Sequence, residues 1–371
     1  MESINVLSLF DGISCGRVAL ERANIPVAKY FASEIDKYAI QVTQKNWPDT
    51  IQIGDVKNVW ARNLPKIDLL IGGSPCQDLS IAKQNRKGLE GSRSGLFWHY
   101  VRLLRTCKPK YFLLENVASM AKADKDKITE ILGVQPILIN SALVSAQQRK
   151  RLYWTNIPCV TQPEDKGILL KDILETGLPY LKKSESLTAS YDGAVFWNSI
   201  QKHQRTMVAE PIAPFEIETT FKEPNLAHYL REYGSKGKIL YDAEKAPTLT
   251  AAMGAGGGNI PCVATDEPVR IGNLEGLGKG QANRIYSVRG KSVCLNANGG
   301  GGGAKTGLYK IDLPDGDYTI RKLTPLECER LQTLPDNYTE GISNTQRYKC
   351  IGNGWTVDVI AHIFSFLKEA L

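Results

Sequence analysis

The chain has 371 residues, enough for one large domain with a substantial core and a smaller second domain. Its composition, 42% hydrophobic and 23% charged, is that of a globular protein. With no apolar run near the roughly 18 residues of a membrane span, and no basic region ahead of an apolar one in MESINVLSLF, it reads as cytosolic. Eight cysteines without a Cys-x-x-Cys pair and only four histidines argue against disulfides and a structural zinc, so no metal is expected; a net charge of +7 permits a polyanionic partner without demanding one.

From Ile4 to Thr161 short apolar runs alternate with amphipathic stretches: NVLSLF, GRVALERA, AKYFASE, KYAIQVTQKN, IDLLIGG, GLFWHYVRLLRTC and YFLLENV. Strand and helix in regular alternation predict an α/β fold with a parallel sheet covered by helices on both faces. The first strand runs into Phe10-Asp11-Gly12-Ile13-Ser14-Cys15-Gly16 and then a helix. Two readings fit this loop. Gly12-Ile13-Ser14-Cys15-Gly16 matches the GxSxG elbow of serine hydrolases, although that elbow normally follows several strands, and none of His99, His203, His228 or His362 sits in a convincing catalytic loop. Alternatively, the glycines let a nucleoside cofactor approach the backbone; Glu34, ending the second strand about 20 residues on, is placed for ribose hydroxyls, and Asp55, ending the third, for an adenine amino group.

The stretch GGSPCQDLS follows the run IDLLI. Proline fixes φ and pushes Ser74 into an extended conformation, so Cys76 is held in a defined direction at a sheet edge, as a nucleophile requires. The same thiol would also serve as small apolar filler. Downstream, Glu115-Asn116-Val117 sets an acid at the end of another strand, and Gln147-Gln148-Arg149-Lys150-Arg151 places Arg149 and Arg151 on one side of an extended segment, a grip for a phosphate or a base edge. From Glu164 to Leu313 the chain turns rich in Gly, Lys, Asn and Thr, with the loops GAGGGN and GGGGGA and a weak repeat, SLTAS, TLTAA and CLNAN, which irregular hairpins explain as well as any function. Beyond Asp317 regular structure returns. Thr324-Pro325-Leu326-Glu327 is a capping box opening a helix, and WTVDVIAHIFSFLKEAL has the spacing of a helix that packs back on the sheet.

Taken together, LFDGISCG, GGSPCQDLS, ENV, QQRKR, RKLTPLECERLQTLPD and IGNGWTVDVI, in this order between Leu9 and Ile360, resemble the cytosine-5 DNA methyltransferase family. The first, second and last are similar to its de novo branch, while the long middle region and lack of a chromatin-reading module are similar to stand-alone bacterial and phage modification enzymes. The resemblance implies a Rossmann-like class I methyltransferase fold with a parallel-rich sheet and a smaller irregular target-recognition domain. It divides the chain into a catalytic and cofactor-binding domain (1–163), a target-recognition domain (164–313) and a C-terminal segment completing the first (314–371). It implies S-adenosylmethionine as cofactor, held by Phe10, Asp11, Gly12, Ser14, Gly16, Glu34, Ile35, Asp55, Val56, Pro75, Asn353 and Trp355. Many members carry serine where this chain has Gly354. The implied catalytic set is Cys76 as nucleophile toward carbon 6 of cytosine, Glu115 at ring nitrogen 3, Arg151 at the base carbonyl and Arg149 bracing it. The implied partner is double-stranded DNA with the target base flipped out. A monomer in the cytoplasm of a bacterial or phage-infected cell is expected, with no membrane and with any cognate restriction endonuclease acting separately. An RNA cytosine-5 methyltransferase using the same residues is the alternative.

Overall fold

Apolar residues alternate between two faces along Ile4–Leu9 (β1), and this segment is central to the main sheet of the computed structural model, which describes residues 2–74, 94–179, 181–194, 199, 204–211, 270–273, 284–287, 308–313 and 316–371. Pro75, Cys76, the loops GAGGGN and GGGGGA, and the repeats TLTAA and CLNAN lie outside the described residues. The chain forms two units, one of residues 1–194, 198–208 and 322–371, the other of 195–197 and 209–321.

In the first unit β1 is followed by α1 (Cys15–Arg22), β2 (Val27–Ser33), α2 (Lys37–Asn46), β3 (Ile51–Gln52), β4 (Leu69–Gly73), α3 (Phe97–Cys107), β5 (Tyr111–Val117), α4 (Lys122–Leu132), β6 (Ile137–Asn140) and β7 (Lys150–Thr155). The seven strands lie in the order β3-β2-β1-β4-β5-β7-β6. Pairing is parallel from β3 to β5, whereas β7 runs antiparallel to both β5 and β6. Val6, Ile71 and Leu113 pack under α1 and the C-terminal helix; Leu7, Leu9, Leu70 and Leu114 pack under α3 and α4. The predicted doubly covered sheet is therefore present. Strand order reverses between β1 and β4, and in such sheets the crevice beyond the carboxyl ends of the strands at that point is where ligands bind. The loop after β1 and the end of β4 flank it.

The capping box forms as read: Thr324 Oγ1 accepts from Glu327 N (3.1 Å) and Glu327 Oε2 from Thr324 N (2.8 Å), opening α5 (Pro325–Leu331). Two more helices follow, α6 (Asn344–Asn353) and α7 (Val357–Ala370). The stretch Asn344–Ala370 is long and apolar enough to cross a membrane by length and composition alone. In α7, however, Val359, Ile360, Ile363, Phe364 and Leu367 are fully buried in the core. Each such burial is worth about 1.5–3 kcal/mol, so α7 is a structural member of the first unit.

Residues 164–194, where the sequence changes texture, belong to the first unit. Leu170, Ile173, Leu187 and Tyr191 form a core with Leu323, Leu331, Tyr348 and Ile351, and Tyr191 accepts from Leu323 N (2.9 Å). Short β8 (Leu178–Pro179) lies here. In this segment burial falls on a few well-spaced apolar side chains in irregular backbone, which no periodicity announces. The second unit carries β10 (Arg270–Asn273), β11 (Arg284–Ser287), β12 (Leu308–Leu313) and most of β9 (Met207–Pro211) and β13 (Gly316–Lys322). Pairing is antiparallel for β10 with β11 and β12 with β13, and parallel for β11 with β12. Regular structure thus begins before Asp317, in a hairpin.

Candidate active site and cofactor crevice

The loop after β1 reaches its shape through three left-handed residues, Phe10 (φ 57°), Gly12 (φ 59°) and Ser14 (φ 57°). Strain of this kind persists only where surroundings fix it, and here they do. Asp11 N donates to Ser33 O, Ser14 Oγ to Asp11 Oδ2 (2.5 Å), and Tyr30 OH to Asp11 Oδ1 (2.8 Å). From the C-terminal segment, Tyr338 OH donates to Ile13 O (2.8 Å). Ser14 is fully buried with its hydroxyl committed to Asp11 and within 3.1 Å of Thr43 Oγ1. A serine so enclosed cannot attack a substrate, which removes the hydrolase reading of GxSxG. Gly16 is where α1 meets the sheet: a Cβ there would lie 2.4 Å from Ile71 Cδ1 and 3.4 Å from Trp355 Cζ3.

Desolvation by burial pushes the Asp11 carboxyl up from 3.8 to about 6, against the hydrogen bonds from Ser14, Ser8 and Tyr30. A carboxyl raised on folding is less easily ionised in the native state, so stability falls as pH rises from 3.8 to about 6 and is level above. Asp11→Asn should therefore raise Tm relative to the wild type at pH 7, and the gain should vanish below the lower of these values. Thermal melts across the window check this; a gain that persists in acid would mean the substitution acts through packing.

Beyond β2, Glu34 is held by three backbone donors: Gly12 N to Oε2 (2.8 Å), and Ile35 N (2.7 Å) and Asp36 N (2.9 Å) to Oε1. Ile35 is 73% exposed, an apolar side chain standing beside that acid. After β3, Asp55 Oδ1 accepts from Lys57 N (3.0 Å) and Val56 is buried. Two oriented acids, an exposed aliphatic surface and open space where a Cβ of Gly12 would stand fit the sugar hydroxyls, base and backbone approach of a nucleoside cofactor.

On the other side of the switch point β4 ends in Gly72-Gly73-Ser74. Asn116 Nδ2 donates to Ser74 Oγ (3.1 Å) and Ser74 O (3.3 Å), pinning the backbone just before Pro75-Cys76. Next to Asn116 on β5, Glu115 is buried, and the antiparallel register that sets Val117 opposite Arg151 and Glu115 opposite Tyr153 places Glu115 and Arg151 diagonally across one face. Arg151 Nε lies 3.0 Å from Glu115 Oε1, and Trp355 Nε1 donates to Glu115 Oε2 (3.2 Å). Gly73 makes room for this cluster, since a Cβ there would lie 2.8 Å from Trp355 Nε1 and 2.9 Å from Glu115 Oε2.

Arg149 lies two residues before Arg151, just ahead of β7. It is buried and donates to the carbonyls of Leu187 (2.7 Å), Gly352 (3.4 Å) and Gly354 (3.0 Å). Asn353 is exposed at the end of α6, and Trp355 is half-buried. Around Arg149 lies a buried amide network absent from the sequence reading. Gln147 Nε2 donates to Gln332 Oε1 (3.2 Å), Gln332 Nε2 to the carbonyls of Ile351 (2.9 Å) and Gly354 (3.2 Å), and Thr356 Oγ1 to Gln332 Oε1 (2.8 Å). The signal for it was present in QQRKR and ERLQT, as glutamines inside otherwise apolar or basic motifs. Among the described residues no group of His, Cys, Asp and Glu is arranged to hold a metal ion.

The sequence profile described as C-5 cytosine-specific DNA methylase matches residues 4–369. The chain belongs to the C-5 cytosine-specific DNA methylase family. Methylases of this family use S-adenosylmethionine as methyl donor, and the crevice described above fits it. Similar proteins include the orphan methyltransferase M.Rho11sI of Bacillus phage rho11s, 27% identical with 99% of this chain and 98% of the relative covered. The Type II methyltransferase M.HhaI of Haemophilus parahaemolyticus is 28% identical over 98% of this chain and 94% of its own. Among solved structures, the Entamoeba histolytica methyltransferase EhMeth superposes with a TM-score of 0.59 at 16% identity, covering 100% of this chain and 99% of that one, a likeness of fold.

Proposed function

We propose that this methylase modifies carbon 5 of cytosine within a short fixed sequence of double-stranded DNA, through a covalent bond to Cys76 and with the target base flipped out of the helix. The observation that carries the reading is the convergence of Glu115, Arg151 and Trp355 at the carboxyl ends of β4 and β5, beside the backbone that leads into Pro75-Cys76.

Carbon 5 of cytosine is a poor nucleophile, so the ring must be activated first. The Cys76 thiolate adds to carbon 6, and the electron pair displaced from the 5,6 bond moves toward ring nitrogen 3. There Glu115 supplies a hydrogen bond or proton while accepting from the exocyclic amino group, and Arg151 donates to the neighbouring base carbonyl. S-adenosylmethionine, when bound, would supply the methyl group to carbon 5, its S–CH3 bond breaking to leave the neutral thioether S-adenosylhomocysteine. A base then removes the proton from carbon 5, the 5,6 bond re-forms and the thiolate leaves. Phe10, Asp11, Gly12, Ser14, Gly16, Glu34, Ile35, Asp55, Val56 and Pro75 would hold the cofactor, with Asn353 and Trp355 closing the pocket. Arg149 braces the site through the Gly354 carbonyl. Because the reacting atoms of a paired cytosine are stacked, the base must leave the duplex. Residues 164–313 supply sequence recognition in this reading, their glycines allowing close approach to a groove. The protein acts as a monomer in the cytoplasm, any cognate endonuclease working separately.

The test is to map 5-methylcytosine in a host expressing the chain. A single short motif methylated in genomic DNA is expected. Methylation confined to RNA would establish the alternative substrate, and scattered methylation without a motif would remove recognition from the middle region.

A further inference from the structure

We infer that Trp355 is a positioning residue that fixes the Glu115 carboxyl and couples it to the cofactor crevice, an inference that rests on the reading of Glu115 as the group at ring nitrogen 3. The indole lies between the first turn of α1 and the end of β4. Its Cζ3 faces Gly16, 3.4 Å from where a Cβ would stand, and its Nε1 faces Gly73, 2.8 Å from the corresponding position. One ring therefore faces the first turn of α1, which follows the loop assigned to the cofactor, and the end of β4, which leads toward the base site.

Each oxygen of Glu115 has its own partner: Trp355 Nε1 donates to Oε2 (3.2 Å), and Arg151 Nε forms an ion pair with Oε1 (3.0 Å). Between them they set the plane of the carboxyl. An indole N–H donates and never accepts, so while Trp355 holds Oε2 that oxygen must remain an acceptor. Trp355 thus fixes the direction in which the Glu115 carboxyl faces ring nitrogen 3.

The indole can do this because its backbone is clamped on both sides. Before it, the Gly354 carbonyl accepts from Arg149 Nη2 (3.0 Å) and Gln332 Nε2 (3.2 Å). After it, Thr356 Oγ1 donates to Gln332 Oε1 (2.8 Å) and receives from Ser141 Oγ (2.9 Å). A side chain at position 354 would crowd the clamp, with a Cβ 3.1 Å from Cys15 Sγ, so glycine here lets the segment sit against α1.

The experiment compares Trp355→Phe with the wild type by single-turnover methyl transfer to duplex DNA and by calorimetric titration with S-adenosylhomocysteine. Phenylalanine keeps a ring between the glycines and removes the donor. The expected result is a chemical step slowed about tenfold, the scale of one hydrogen bond to a charged group, with little change in cofactor affinity. Replacing Trp355 by 3-benzothienylalanine, which exchanges only the N–H for sulfur, should reproduce the slowing if phenylalanine misfolds. An unchanged step in the benzothienyl protein, or a loss explained wholly by weaker cofactor binding, would overturn the inference. Glu115→Gln separates the two failures: if it slows transfer by about 10²-fold or more while the Trp355 variants do not, the role of Glu115 stands and that of Trp355 falls. If Glu115→Gln is as fast as wild type, the underlying reading falls.

Discussion

Cys76→Ala is expected to lower methyl transfer by more than about 10³-fold, at least about 4 kcal/mol of barrier, while S-adenosylmethionine binding is unchanged. The split follows from the division of labour around the switch point. On the proposed reading the thiol acts on the base, whereas the cofactor would sit against the loop after β1 and the acids after β2 and β3. Tritium transfer and cofactor titration read the two halves separately. A trapping experiment makes the covalent step visible: DNA carrying 5-fluorocytosine at the target should form a denaturant-stable adduct with wild type, because fluorine cannot leave as a proton and the thiolate cannot be expelled. Cys76→Ala should form none. Transfer within tenfold of wild type, or an adduct in the alanine variant, would place the nucleophile elsewhere.

The sequence was most informative where local and tertiary forces agree. β1, β4 and β5 are buried on both faces, so they stand out as apolar runs, and the residues that follow them are delivered to one edge by the fold itself. Glu115, near the end of β5, stands out for that reason, whereas Glu34 follows β2 and Asp55 follows the two-residue β3. The two readings of GxSxG were separated by burial of Ser14, which no spacing reveals. Arg149 and Arg151 were read as a pair, and their separate partners, backbone carbonyls for the one and the Glu115 carboxylate for the other, are set by tertiary contacts that spacing does not show. The Glu115 contacts were invisible for a different reason. They need the antiparallel insertion of β7 beside β5, and a tryptophan that is 240 positions away in the chain.

The second large effect is expected from Gly352→Ala. This glycine lies on α6 where the helix presses directly on backbone: an added Cβ would stand 2.3 Å from both the carbonyl carbon and oxygen of Thr188 and 2.5 Å from Ala189 N. No rotamer relieves such a contact, since the obstacle is main chain on both sides. Either α6 or the segment around Leu187 must move, and both are tied to the same guanidinium. Arg149 donates to Leu187 O and to Gly352 O, and to Gly354 O just past the end of α6. Shifting the helix therefore strips bonds from a buried cation as well as opening the core of Leu187, Tyr191, Tyr348 and Ile351. Overpacking alone costs about 1–3 kcal/mol, and loosening a buried charge adds to it. A loss of about 3 kcal/mol or more is expected, visible as a Tm lower by about 6–12 °C for a unit of this size. Catalysis should suffer beyond the loss of fold, because the Gly354 carbonyl carries Trp355. At temperatures where the variant is still folded, its transfer rate should fall in the manner of Trp355→Phe. A Tm within 2 °C of wild type would show that α6 and the Thr188 segment yield freely, and the clamp around Arg149 would then be no constraint on the site.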